Sequence, residues 1–81
     1  MNNGAKEIVG VRHYSFTGKS GEVVEGYDVY LEWEDERTEG KCCEHASIRA
    51  ANLRGYTPTV GDLVVTSYNR WQKVDSLFLV M

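Results

Sequence analysis

Cysteine is scarce in this chain: two of its 81 residues, and they are neighbours, Cys42 and Cys43. A bond between adjacent cysteines would be strained and no third cysteine exists, so a disulfide framework is excluded. Proline occurs once, at Pro58. No apolar run approaches the ~18 residues needed to cross a bilayer. The opening segment MNNGAKE lacks the basic-then-apolar layout of a secretory leader. A cytoplasmic protein without membrane contact is therefore expected. An excess of basic charge is also missing: 9 Lys and Arg face 12 Asp and Glu, for a net charge of −3. A chain that held nucleic acid by bulk charge alone would be basic overall, so that mode is excluded.

What is present suits one small folded domain over residues 1–81. Hydrophobic residues make up 42% and charged residues 26%, which separates the chain from disordered sequences. The length leaves room for a single core. Charge is unevenly spread. Residues 1–40 carry four Lys or Arg against nine Asp or Glu, and residues 41–81 carry five against three, which leaves room for a local basic face.

Strand signals dominate. EIVGVRHYSFT (7–17) is rich in β-branched and aromatic residues, and GKSG (18–21) is turn material. EVVEGYDVYLEWE (22–34) alternates, with Val23, Tyr27, Val29, Leu31 and Trp33 on one parity and Val24, Asp28, Tyr30, Glu32 and Glu34 on the other. Period two with one apolar side predicts a half-buried antiparallel strand, with Tyr30 facing away from Trp33. KCCEHASIRA (41–50) reads as a third strand and 48–56 as a loop or single helical turn. LVVTSY (63–68) and VDSLFLV (74–80) read as a closing hairpin around YNRWQK. Five strands in so short a chain must protect their edges, which predicts an all-β fold: a five-stranded antiparallel barrel, OB-like, with an SH3-like barrel as the alternative. Gly10 and Gly26, inside the two long strands, are where bulges or bends come cheaply.

The cluster Cys42, Cys43, Glu44, His45 suggests zinc, but a structural zinc site needs four ligands and the one remaining histidine is His13. No metal or cofactor is expected. A nucleophile elbow, a phosphate-binding loop and a paired-carboxylate motif are all missing, so a non-catalytic role without a small-molecule substrate is expected. The aromatic residues say more. Tyr27, Trp33 and Phe78 are assigned to the core. Tyr14, Tyr30, Tyr56, Tyr68 and Trp71 are left over, and Trp71 sits between two cations on a hairpin tip with no core to enter. Single strands of DNA or RNA are held by flat rings for the bases and cations for the phosphates. This points to Tyr30, Tyr56, Tyr68 and Trp71 for stacking, and to Arg12, Lys41, Arg49, Arg54, Arg70 and Lys73 for phosphates.

Residues 56–80, YTPTVGDLVVTSYNRWQKVDSLFLV, resemble the C-terminal part of the filamentous-phage gene V family of single-stranded DNA-binding proteins. The shared features are a Tyr-x-Pro entry (Tyr56, Pro58), a strand, a polar-tipped hairpin and a closing strand with Leu77, Leu79 and Val80. The chain also resembles small proteins of phages and mobile elements in Gram-positive bacteria. The resemblance implies an OB-like barrel, a dimer, and sequence-independent binding of single strands in the cytoplasm through tyrosines, with Tyr30 and Tyr56 as candidates. The chain departs from that pattern in being acidic and in carrying Glu22, Glu25 and Asp28 on its first hairpin. Two rival functions follow from the same residues. The aromatics would grip a peptide or a second copy of the chain, or the acidic loop 34–39 would mimic nucleic acid towards a host protein. Salt separates the first, because phosphate binding weakens steeply as ionic strength rises whereas apolar peptide binding barely responds, and a partner pull-down separates the second.

Overall fold

The computed structural model describes residues 4–80. They form β1 (Lys6–Thr17), β2 (Val23–Glu34), β3 (Lys41–Arg49), a single 3-10 turn (Ala50–Leu53), β4 (Leu63–Tyr68) and β5 (Val74–Val80). Every ladder is antiparallel and the strands lie in the order β3-β2-β1-β4-β5. The fold is all-β, as the alternating patterns predict.

The expected closed barrel is not formed. The sheet is open, with β3 and β5 at its two ends and no ladder between them. The cause lies in β1. Its start pairs with β4 over two residue pairs only, Lys6 with Val64 and Glu7 with Leu63. Its remainder stays with β2 as far as Thr17 opposite Val23. The first hairpin therefore continues as an arm, and the molecule measures 47 × 26 × 18 Å. Side chains rather than a ladder draw the two ends together. Lys6 Nζ donates to Glu44 Oε1 on β3 at 2.7 Å and to the Tyr68 hydroxyl on β4 at 2.8 Å. Ser76 Oγ on β5 donates to the Asn52 carbonyl at 2.7 Å.

The core is a single cluster of Ile8, Val29, Leu31, Ala46, Ile48, Leu53, Val64 and Leu77. Burying each large aliphatic side chain contributes about 1.5–3 kcal/mol, which offsets the entropy of ordering the strands. Val29 and Leu31 point inward and Tyr30 outward, as the period-two pattern of β2 requires. The same pattern fails at the start of β2. Val23, expected inside, is 71% exposed, and Val24 is buried instead. Gly26 opposite Arg49 is the last pairing of β2 with β3. The strand before it no longer faces the core, and Val24 packs by the corner formed by Arg49, Ala50 and Ala51. Phe78, also expected inside, faces outward opposite Val65 on the far side of the β4–β5 ribbon.

A register shift between Ile8 and Gly10 places a bulge at Val9. The extra residue resets the alternation of β1. Ile8 and Val11 both serve the core side, and Gly10, Arg12, Tyr14 and Phe16 all fall on the opposite face. This single irregularity decides which β1 side chains meet those of β2 and β3 on the outer surface.

Candidate nucleic-acid interface

Antiparallel register sets cross-strand neighbours side by side, so the outer face of β1, β2 and β3 is read in rows. One row is Gly10, Tyr30 and His45. The next is Arg12, Asp28 and Ser47, and the one after is Tyr14, Gly26 and Arg49. Phe16 opposite Val24 continues the series along the arm, and the pairs Glu32–Cys43 and Glu34–Lys41 extend it the other way.

Two tyrosines on this face each lean over the glycine paired with them on the neighbouring strand. The Tyr30 ring covers Gly10, where an added Cβ would sit 3.2 Å from Tyr30 Cδ2. It stacks on His45, with ring centroids 4.7 Å apart and planes 18° apart. Tyr14 crosses Gly26, where a Cβ would run into the hydroxyl end of the ring. It stacks with Phe16 at 6.2 Å and 20°. Phe16 remains 55% exposed.

The charges on this face are mostly paired. Arg12 Nε lies 3.5 Å from Asp28 Oδ2, and Lys41 Nζ lies 3.9 Å from Glu32 Oε1. Asp28 is a hub: its Oδ1 accepts from Ser47 Oγ at 2.8 Å and lies 3.8 Å from His45 Nε2. Arg49 acts on Glu22, whose carboxyl is held below its usual range, first by the Ser20 hydroxyl and more weakly by the Arg49 charge. A phosphate arriving here must compete with carboxylates for Arg12 and Lys41. Stacking would have to supply most of the affinity.

The β4–β5 turn borders this face. Asn69 N–H donates to the Lys73 carbonyl at 2.9 Å and Gln72 N–H to the Asn69 carbonyl at 3.0 Å. The Asn69 side-chain oxygen accepts from the N–H groups of Trp71 and Lys73 at 2.9 and 3.2 Å. Arg70 and Trp71 are thereby set at the tip. Trp71 is 66% exposed, with the Arg70 guanidinium 4.4 Å from its ring centroid. Lys73 leaves the turn beside β3, and residues 44–47 and 72–74 line a depression of about 500 Å³.

The remaining candidates lie elsewhere. Tyr56 packs against the core and donates to Asp62 Oδ2 at 2.7 Å. Burial, and then that hydrogen bond, push its phenol up to about 12. Tyr68 is tied by its hydroxyl to Lys6, whose ammonium also lies 4.1 Å over the Trp33 ring. Burial draws the Lys6 pKa down, but hydrogen bonds to Glu44 and Tyr68 outweigh it and the pKa is raised. Arg54 sits 5.6 Å over the Phe78 ring. The structure thus brings Arg12, Tyr30, Lys41 and Arg49 onto one face, with Lys73 at its border and Arg70 and Trp71 on the same turn. It does not bring Arg54, Tyr56 or Tyr68 there. Tyr14, a leftover ring in the sequence, Phe16, and His45, considered there only for zinc, join the face although none is among the residues expected to bind. The shared parity of Cys43, His45 and Ser47 on β3 is the signal that identifies His45, whereas the face of Tyr14 and Phe16 is set by the bulge at Val9 and has no such signal.

Among the described residues, no group of three or more His, Cys, Asp or Glu side chains is placed to hold a metal ion. No helix among them is long and apolar enough to cross a membrane. Comparison with protein-family models, curated proteins and solved structures finds no match to this chain.

Proposed function

We propose that this protein is an OB-like, non-catalytic binder of single-stranded nucleic acid, DNA first among the candidates, acting in the cytoplasm. The observation that carries the reading is the outer face of β1–β3. Two tyrosine rings lean over glycines there, each stacked with a neighbour, His45 or Phe16, and Arg12, Lys41 and Arg49 lie on the same face. The order β3-β2-β1-β4-β5, with a helical turn between β3 and β4, supports the OB-like assignment, since that fold is a partly open five-stranded barrel. OB folds bind oligonucleotides on strands 2 and 3 and on the loop between strands 4 and 5, the positions of Tyr30, His45 and Lys73 here. The test is fluorescence anisotropy with labelled oligothymidylate at low salt and then at rising salt. Binding that weakens with salt and exceeds binding to duplex of equal length supports the reading. No binding of the single strand at low salt would remove it.

A second reading rests on a separate surface. The outward face of the β4–β5 ribbon carries Leu63, Val65 and Ser67 opposite Val80, Phe78 and Ser76, and none of the six is charged. Leu63, Val65, Phe78 and Val80 are the exposed part of this face, with Arg54 over the Phe78 ring, and such an apolar surface suits contact with a second copy of the chain. A Phe78→Glu variant that lowers the molar mass in sedimentation, with the fold retained, supports it. A wild-type monomer at high concentration rejects it.

A further inference from the structure

Resting on the nucleic-acid reading above, we infer that the face holds an extended single strand at two separate stacking stations, and that Asp28 between them holds the affinity down. The first station is the Tyr30–His45 pair and the second is the Tyr14–Phe16 pair. Each is built by the same device, a tyrosine leaning over a facing glycine, and both open to the same side of the sheet. Tyr14 lies four residue steps beyond Gly10 on β1. At about 3.3 Å per residue the stations stand roughly 13 Å apart, too far for two bases stacked on each other. One base on each station requires a strand pulled out between them, so the contacted length is about three to four nucleotides, at the low end for an OB fold.

The row between the stations explains where the backbone would run. Arg12 is the cation there, and it is engaged by Asp28, which Ser47 and His45 hold in place. A phosphate lying between the stations meets the Arg12 guanidinium and the Asp28 carboxylate together. Attraction and repulsion largely cancel at that row, and Arg49, beside Tyr14, is left as the main phosphate contact. The donors in the row between the stations, Arg12 and Ser47, are both engaged by Asp28 rather than free to read base edges. The stations should therefore accept any base, with preference set by stacking strength.

Three arms test the inference by anisotropy at low salt. The first uses oligothymidylates of two, four and eight nucleotides. The affinity should rise steeply from two to four and little from four to eight, apart from the statistical gain of extra registers. The second uses Phe16→Ala, chosen because the ring is largely exposed, together with Tyr14→Ala and Tyr30→Ala. Each should weaken binding of the four-nucleotide probe by about tenfold, and of the two-nucleotide probe by less. The third uses Asp28→Asn, which keeps an acceptor for Ser47 and frees Arg12, and should tighten binding by about threefold to tenfold while steepening the salt dependence by about one phosphate contact. If the wild type binds but the Phe16 and Tyr14 variants bind equally well, or Asp28→Asn weakens binding, the two-station inference falls and the general function survives. If no probe binds the wild type, both fall.

Discussion

At the tip of the first hairpin, Gly18 N–H donates to the Glu22 carbonyl and Gly21 N–H to the Gly18 carbonyl. At the tip of the second, Asn69 N–H donates to the Lys73 carbonyl and Gln72 N–H to the Asn69 carbonyl. The closures are equivalent, and each puts its fourth residue in the left-handed region, at φ +87° for Gly21 and +63° for Gln72. Glycine adopts that conformation freely, whereas glutamine adopts it against its Cβ. The surfaces of the two hairpins diverge further. The first carries charged and aromatic residues in alternating rows on its outer face, and the second carries Leu63, Val65, Phe78 and Val80 there. One turn design thus supports a polar, ring-bearing surface and an apolar one. The difference lies in the side chains the strands direct outward rather than in how the strands are joined.

The comparison can be broken first in the core. Leu31, fully buried on β2, and Leu79, 46% exposed on β5, are the same residue in the two hairpins. Leu31→Ala should cost about 2–5 kcal/mol in urea unfolding, and Leu79→Ala under about 1.5 kcal/mol. Equal costs would mean that both hairpins share one core equally. Next comes the clasp between them. Glu44→Ala leaves the Lys6 ammonium with only Tyr68 and the Trp33 ring, and should cost about 1–2 kcal/mol after allowance for its partial exposure to water. The turns themselves come third. Gln72→Gly should stabilise by up to about 1 kcal/mol and Gly21→Gln should destabilise by a similar amount, so exchanging the two residues tests the equivalence of the closures directly.

A last effect, outside the physiological range, is on pH dependence. Tyr56 holds its proton more tightly folded than unfolded, with a folded pKa of about 12 against about 10 for free tyrosine. Its contribution to stability is fully present below about pH 10 and is lost as pH rises towards about 12. Lys6, whose pKa is also raised, acts in the same direction. Stability should therefore fall in strongly alkaline solution. Tyr56→Phe should lose stability at neutral pH and show a shallower alkaline decline, measured by thermal melts across that range.

Much of the fold was legible. The bounds of β4 and β5 follow from their short β-branched runs, and the glycine in the first strand marks a real bulge. Val23 and Phe78 were not, because alternation assigns parity but cannot tell where a strand loses its neighbour or which side of a ribbon the core occupies. The site was legible where a residue's parity is fixed by pairing, as for Tyr30, Lys41 and Arg49. It was not legible for Tyr14 and Phe16, whose side of the sheet depends on one extra residue at Val9. Tyr56 and Tyr68 look like spare rings in sequence, yet their hydroxyls have partners in Asp62, Lys6 and Glu44 that only the fold brings near.

The most direct measurement is a titration of the isotopically labelled protein with oligothymidylate, followed through backbone amide resonances. The account predicts that perturbations gather on β1 from Gly10 to Phe16, on Asp28 and Tyr30, and on β3 from Lys41 to Arg49, with Lys73 at the margin. Perturbations confined to Leu63, Val65, Phe78 and Val80, or none under conditions where the protein is folded, would contradict it.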